Sequence, residues 1–185
     1  QSAYIKNLGI NKGDRICLLF ENSWPLIVYT LVGLKNGVII VPLNPKSSEL
    51  ISDFYDSEKC LIITVGSDEP RKRLGLVKDI ISRLDSEVSK DINLVNIGSE
   101  IRLDEDQLIA SFQHAEALLF PSVSEGFGYP PAEAMAAGCK VLASDSAAHN
   151  EIIPNNYLLP VDDLRAWIDA VEGIHSEWKM NKGQQ

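Results

Sequence analysis

Seven short apolar runs recur along the chain: RICLLF (15–20), GVIIVP (37–42), CLIITV (60–65), INLVNI (92–97), EALLF (116–120), KVLAS (140–144) and NYLLP (156–160). Apolar runs of this length, without polar alternation, predict strands buried on both faces. Helical stripes lie between them. PRKRLGLVKDIISRL (70–84) places Leu74, Val77, Ile80, Ile81 and Leu84 on one side, with Pro70 near the start, and predicts a helix over 70–84. DEDQLIASFQH (104–114) carries its acids in the first turn, where the helix dipole favours them. PAEAMAAG (131–138) reads as a helix stopped by Gly138. VDDLRAWIDAVEGI (161–174) puts Leu164, Trp167, Ile168 and Val171 on one face behind the capping acids Asp162 and Asp163. The last residues, KMNKGQQ, are expected to fray. Alternating strand and helix predict an α/β fold: a doubly wound, mainly parallel sheet of about six or seven strands, Rossmann-like, with helices on both faces in three layers.

Composition narrows the function classes. A net charge of −9 argues against a nucleic-acid-binding surface. That charge is uneven. Residues 1–65 hold six basic and six acidic side chains, so the whole excess lies in 66–185 and suggests a boundary near residue 65. No apolar run approaches the roughly 20 residues that span a bilayer, and the first residues lack a signal-peptide pattern. Cys17, Cys60 and Cys139 show no CxxC spacing and read as buried hydrophobes, which with the rest predicts a cytoplasmic chain. No spacing of His, Cys and acids suits a metal, and no GxSxG nucleophile motif occurs. His114 reads as a packing or capping residue. His149 falls near the expected ligand face without an assigned role, and His175 carries no signal. Trp24, Trp167 and Trp178 read as core or rim.

The candidate chemistry lies in PSVSEGFGYPPAEAMAAGCKVLASD (121–145). A strand, EALLF, leads into a loop and then a helix, and in an open α/β sheet ligands bind in such loops beyond the strand ends. Gly126 and Gly128 let backbone amides approach a ligand, and Pro130 and Pro131 pre-set the first helical turn. The helix N-terminus favours a phosphate. Glu125 and Glu133, eight positions apart, are suited to sugar hydroxyls. Together these features call for a ligand with both phosphate and sugar.

This stretch resembles the E-x7-E signature of retaining GT-B glycosyltransferases of group 1, which use nucleotide-sugar donors. VGSDEPRKRL (65–74), DEDQLIASFQHAEALLFPS (104–122) and SAAHNEIIPNNYLLPVDD (146–163) resemble further segments of the same donor domain, in order, over residues ~62–175. The resemblance implies that Gly66, Glu125, Gly126, Phe127 and Gly128 lie at the donor sugar and first loop. It also implies that Glu133 holds the ribose and that Lys72 neutralises the diphosphate. Where the family has an arginine after the first-loop glycine, this chain has Ser67, with Arg71 and Arg73 as candidate replacements. A UDP- or GDP-sugar is the expected ligand, with no cofactor.

Residues 7–65 resemble instead an early segment of AMP-forming acyl-CoA synthetases. The carriers are Gly13, Asp14, Arg15, Asn22, Ser23, Gly37, Pro42, Leu43, Asn44, Pro45, Glu49, Leu50 and Ser57. The phosphate loop that adenylation requires is absent. The expectation is a two-part chain, recombined or engineered, with 1–65 from one parent and 66–185 from the other, sharing one continuous sheet through the strand near Ile62–Gly66. Lacking an acceptor domain, it reads as the donor-binding half of a glycosyltransferase, inactive alone. The alternatives are a folded scaffold without catalysis and a remnant of an adenylate-forming enzyme.

Overall fold

The computed structural model describes residues 10–19, 35–43, 47–146 and 149–183. Asn22, Ser23, Trp24, Asn44 and Pro45 lie outside the described residues. The chain divides into two compact units, Gln1–Leu50 and Ile51–Gln185. In the first, strands β1 (Arg15–Leu19) and β2 (Ile39–Leu43) pair in parallel with Arg15 opposite Ile39, and a single turn, α1 (Ser47–Leu50), follows. The Gly13 N–H donates to the Gly37 carbonyl at 2.9 Å beside this pair.

The second unit is built on five parallel strands: β3 (Cys60–Val65), β4 (Ile92–Ile97), β5 (Ala117–Phe120), β6 (Lys140–Ser144) and β7 (Leu158–Leu159), in the spatial order β4-β3-β5-β6-β7. Its helices are α2 (Leu74–Ser82), the short α3 (Ser86–Ser89), α4 (Glu105–His114), α5 (Tyr129–Ala136) and α6 (Leu164–Lys182). Successive strand residues face opposite sides, as the pleat requires. Cys60, Ile62, Ala117 and Leu119 join Val77 and Ile80 of α2 and Trp167, Val171 and Trp178 of α6 in one core. Leu61, Ile63, Leu118 and Phe120 join Phe112 of α4 and Ala134 of α5 in the other. Helices therefore cover both faces, which is the doubly wound, Rossmann-like arrangement expected from the sequence.

The described strands are seven, β1 bonded to β2 in the first unit and β3 to β7 bonded in the second. β3 was the strand expected to be shared. Both of its edges are occupied within the second unit: Cys60–Val65 pairs with Ile92–Ile97 on one side, and Ile62 and Ile63 pair with Ala117 and Leu118 on the other.

Two helices also depart from the periodic reading. The stretch 70–84 opens as a 3-10 turn, Pro70–Lys72. Arg73 then takes a left-handed conformation (φ 52°), and α2 begins only at Leu74. The tail expected to fray continues α6 to Lys182, whose ammonium bonds the Glu58 carboxylate at 2.6 Å and lies 5.1 Å from the Trp178 ring centre. No helix among the described residues is long and apolar enough to cross a membrane.

Candidate functional site

Chain order from β3 runs first to β4 on one side and then back across to β5 on the other. The direction of winding reverses between β3 and β5, and the loops leaving these two strands flank the crevice where open α/β sheets hold ligands. These are the loops 66–73 and 121–128.

The loop after β3 is shaped by close approach. Gly66 donates its N–H to the Ile97 carbonyl at 2.9 Å, and a Cβ on it would stand 3.3 Å from Cδ of Lys72. The Lys72 stem thus lies along a residue that has no side chain. The turn ends at Arg73, whose left-handed backbone reverses the chain before α2. Arg73 is thereby aimed away: it donates to the Val161 carbonyl at 2.6 Å and pairs with Asp162 at 3.2 Å.

Arg71 and Lys72 converge on Glu125. Lys72 Nζ is 2.6 Å from Glu125 Oε1, and Arg71 Nη1 is 3.2 Å from Oε2. The Ser122 hydroxyl donates to Oε1 at 2.6 Å. Backbone bonds align the two loops, with the Val123 N–H on the Arg71 carbonyl at 2.9 Å. The Lys72 and Glu125 side chains are only 11% and 10% exposed, so this pair is shielded from solvent in a way that surface pairs are not. Lys72 also lies 5.0 Å from the centre of the Phe120 ring, within cation–π range. Burial alone pushes the Glu125 carboxyl up, but the Lys72 and Ser122 hydrogen bonds and the Lys72 and Arg71 charges outweigh it and hold the group below its ordinary range. Arg71 is shared: its Nε bonds Glu69 at 2.7 Å, and Glu69 in turn accepts from Ser67 at 2.5 Å. Ser67 therefore reaches the cluster through Glu69.

The remaining candidates lie along the loop and α5. Gly126 is exposed, and a Cβ there would meet nothing within 4 Å. Phe127 is 48% exposed and its ring lies 5.2 Å from that of Tyr129. Gly128 caps α5 with φ 92°, a conformation that L side chains avoid, and an added Cβ would lie 3.4 Å from Ile152 Cδ1 and 3.5 Å from His149 Cδ2. Glu133 is exposed on α5 and is not bonded to the Lys72–Glu125 cluster. It lines an open cavity of about 320 Å³ whose apolar walls are Leu103, Leu108, Ile109 and Phe112 and whose other lining residues are Asp104 and Glu105. Asp104 is oriented by a capping box with Gln107. Among the described residues no Lys or Arg lines this space.

The periodic sequence pattern did not single out Ser122, Ser144 or this cavity. Ser122 and Ser144 lie at strand ends, where neither helical nor strand period applies, and the cavity joins residues from separate elements. His149 is fully buried and His175, also buried, bonds Asp91 at 2.9 Å. No group of three or more His, Cys, Asp or Glu among the described residues could hold a metal. Burial pushes the Cys60 and Cys139 thiols up to about 12, so both are inert packing groups at neutral pH.

A family model described as glycosyl transferases group 1 matches residues 59–177. The chain is 39% identical over 71 residues to the O-antigen chain mannosyltransferase RfbU of Salmonella typhimurium, covering 37% of this chain and 20% of that protein. It is 27% identical over 169 residues to the phosphatidyl-myo-inositol mannosyltransferase of Mycobacterium leprae, covering 77% of this chain and 44% of that one. It thus spans less than half of either relative. Among solved structures, WaaG, a glycosyltransferase of lipopolysaccharide biosynthesis, aligns with TM-score 0.58 at 14% identity over 97% of this chain and 74% of its own. HepE of Anabaena in complex with UDP aligns with TM-score 0.57 at 12% identity over 83% of this chain and 56% of its own. These structures share the fold, and with the family match over more than half its length the chain belongs to the glycosyl transferases of group 1.

Proposed function

We propose that the region 59–177 is the nucleotide-sugar donor-binding half of a retaining glycosyltransferase. The observation that carries this reading is the shielded Lys72–Glu125 pair at the reversal point of the sheet, with Arg71 as a second cation. A diphosphate offers these cations the negative charge that Glu125 and Glu69 now supply. Lys72 and Arg71 would then hold the charge that grows on the leaving diphosphate, the kind of preorganised electrostatic assistance that lowers a transfer barrier. Glu125, relieved of part of its pairing, accepts from the sugar hydroxyls. Gly126, Phe127 and Gly128 face the sugar with their backbone, while Gly66 keeps the first loop close to Lys72.

Glu133 and the cavity beside it take the nucleoside, with Glu133 on the ribose hydroxyls and the apolar walls against the base. We assign guanine as that base. A lining whose charged residues are all carboxylates favours an edge rich in N–H donors. Guanine presents N1–H and its amino group side by side, whereas uracil presents one N–H between two carbonyl acceptors. The similarity to mannosyltransferases supports a mannosyl donor. Transfer also needs groups that hold an acceptor, and none is assigned within 59–177, so donor binding without turnover is the expected behaviour of this region. The two-part origin of the chain, with residues 1–65 from an adenylating parent, belongs to this proposal. The unit boundary falls after Leu50 and the family match begins at residue 59, so a join between two parents would lie before residue 59 rather than at 65.

The test is calorimetric titration of the chain with GDP, UDP and ADP, beside Lys72→Ala and Glu133→Ala. Binding of GDP, weakened in both variants, supports the reading. A folded chain that binds no nucleotide overturns it.

A further inference from the structure

The Ser122 hydroxyl that bonds Glu125 belongs to a group of three buried polar residues joined by hydrogen bonds. Ser122, Ser144 and His149 are 1%, 0% and 0% exposed. They sit at the ends of the adjacent strands β5 and β6 and in the turn that follows β6. His149 Nδ1 is 2.9 Å from the Ser144 carbonyl oxygen, which can only accept. Nδ1 therefore carries the proton, which leaves Nε2 a bare acceptor, and Nε2 has no hydrogen-bond partner. The Ser144 hydroxyl, 3.1 Å from the same Nδ1, donates to the Ser122 carbonyl and so fixes that peptide.

The Ser122 hydroxyl has three oxygens in reach: Glu125 Oε1 at 2.6 Å, the Arg71 carbonyl at 3.2 Å and the Ser124 carbonyl at 3.3 Å. It has one proton, and the shortest, charged acceptor takes it. The links to the carboxylate are three separate bonds joined through the backbone of Ser144 and Ser122: His149 to the Ser144 carbonyl, the Ser144 hydroxyl to the Ser122 carbonyl, and the Ser122 hydroxyl to Glu125. At the far end the His149 ring lies under Gly128, so the same imidazole supports both ends of the loop 122–128. Burying this much polar surface brings little stability over an apolar filling of the same shape. What it does provide is direction. Oε1 is occupied by Lys72 and Ser122, whereas among the described residues Oε2 meets only Arg71, at 3.2 Å, and keeps more capacity to accept from a ligand.

We propose that Ser122, Ser144 and His149 are positioning residues that fix the direction of the Glu125 carboxylate, and through it the affinity for the sugar of the donor rather than for its nucleotide. This rests on the donor-binding reading above. The difference between a nucleoside diphosphate and its sugar ester isolates the sugar contribution. GDP and GDP-mannose would be titrated calorimetrically, with UDP and UDP-glucose as a second pair, against the whole chain and against Ser122→Ala, His149→Leu and His149→Asn. Ser122→Ala and His149→Leu are expected to weaken the sugar ester about tenfold, the size of one hydrogen bond to a charged group, and to leave the diphosphate unchanged. His149→Asn, whose amide can replace Nδ1–H, is expected to restore the ester.

A ligand-free readout accompanies these titrations: the Glu125 carboxyl, followed by NMR, titrates at higher pH in Ser122→Ala because a bond to its ionised form is lost. Equal loss of ester and diphosphate, or an unchanged Glu125 titration, overturns the positioning role. Absence of any nucleotide binding by the parent chain overturns the donor reading itself, and the sugar-affinity half of this proposal with it. The Glu125 titration then still decides whether Ser122 orients the carboxylate. If Ser122→Ala does not fold, the contrast between His149→Leu and His149→Asn carries the same decision.

Discussion

Arg71 and Arg73 stand two residues apart and end at different places: the guanidinium of Arg71 pairs with Glu125 at 3.2 Å, while that of Arg73 pairs with Asp162 at 3.2 Å and caps the Val161 carbonyl at 2.6 Å. The cause is the left-handed backbone at Arg73, which turns the chain between them. Neighbouring cations therefore have separate duties, one at the candidate site and one at the seam between α2 and the segment before α6.

This division predicts opposite mutational signatures. Arg71→Ala is expected to weaken nucleotide diphosphate binding several-fold with little change in melting temperature, since its carboxylate partner keeps Lys72 and Ser122. Arg73→Ala is expected to leave binding intact and cost about 1 kcal/mol of stability, the typical worth of its hydrogen bond. Calorimetry and chemical denaturation on both variants check the pair. Interchanged effects would contradict the arrangement.

Gly128→Ala is expected to destabilise the fold by about 1–2 kcal/mol, the cost of a left-handed L-residue. The added methyl also meets Ile152 and His149 at ordinary contact distance. Gly126→Ala, with open space around its Cβ, should be nearly neutral for stability. Thermal melting of the two variants side by side tests this, and an equal loss in both would refute the asymmetry.

Trp167 is fully buried against both α2 and the sheet, and its indole N–H donates to the Pro160 carbonyl at 2.9 Å. Trp167→Ala removes a large core side chain and is expected to cost about 3–5 kcal/mol. Trp167→Phe keeps most of the volume and removes only the indole bond, leaving the Pro160 carbonyl with the longer bond from the Asp163 N–H at 3.4 Å, and should lose less. Urea denaturation followed by circular dichroism measures both.

Acid should unfold the protein through identifiable carboxylates. Burial raises the Glu125 carboxyl but its partners more than compensate, and its folded value lies below the ordinary 4.5. The His175 hydrogen bond, followed by that of Lys179, depresses Asp91 below the ordinary 3.8. Groups depressed in the folded state contribute stability that is fully present above their unfolded values and lost as pH falls through the folded ones. The urea midpoint should therefore hold down to about pH 4.5 and decline below it. In Glu125→Gln and Asp91→Asn the decline should be shallower. A midpoint with the same pH dependence in all three proteins would rule out these two groups as its source.

The succession of elements was legible in the sequence because it depends on local period and punctuation. CLIITV, INLVNI, ALLF and KVLAS are strands, α4 starts at its acidic cap, and α5 follows the glycine–proline signal. Both glutamates were found by their spacing, but their separation in space was not. Glu125 enters a shielded ion pair, while Glu133 stands over an apolar cavity with Asp104 and Glu105. The neighbours of β3 were not legible, because its pairing with β4 and β5 is set by hydrogen bonds between distant segments. The helix over 70–84 failed on one backbone angle at Arg73, which apolar periodicity does not report. The tail that looked frayed is held by Trp178 and by Lys182 on Glu58, partners 124 residues apart for the latter pair.

By itself, then, the sequence determined the parallel α/β class, the order of strands and helices, and the glycine–glutamate segment, since each follows from residues within a few positions of one another. Only the tertiary structure decided which cations meet which carboxylates. Lys72 with Glu125, His175 with Asp91 and Ser144 with Ser122 are brought together by parallel pairing and crossover helices. A hydrogen bond is set by distance in space, and the linear pattern of hydrophobic and polar positions does not encode that distance.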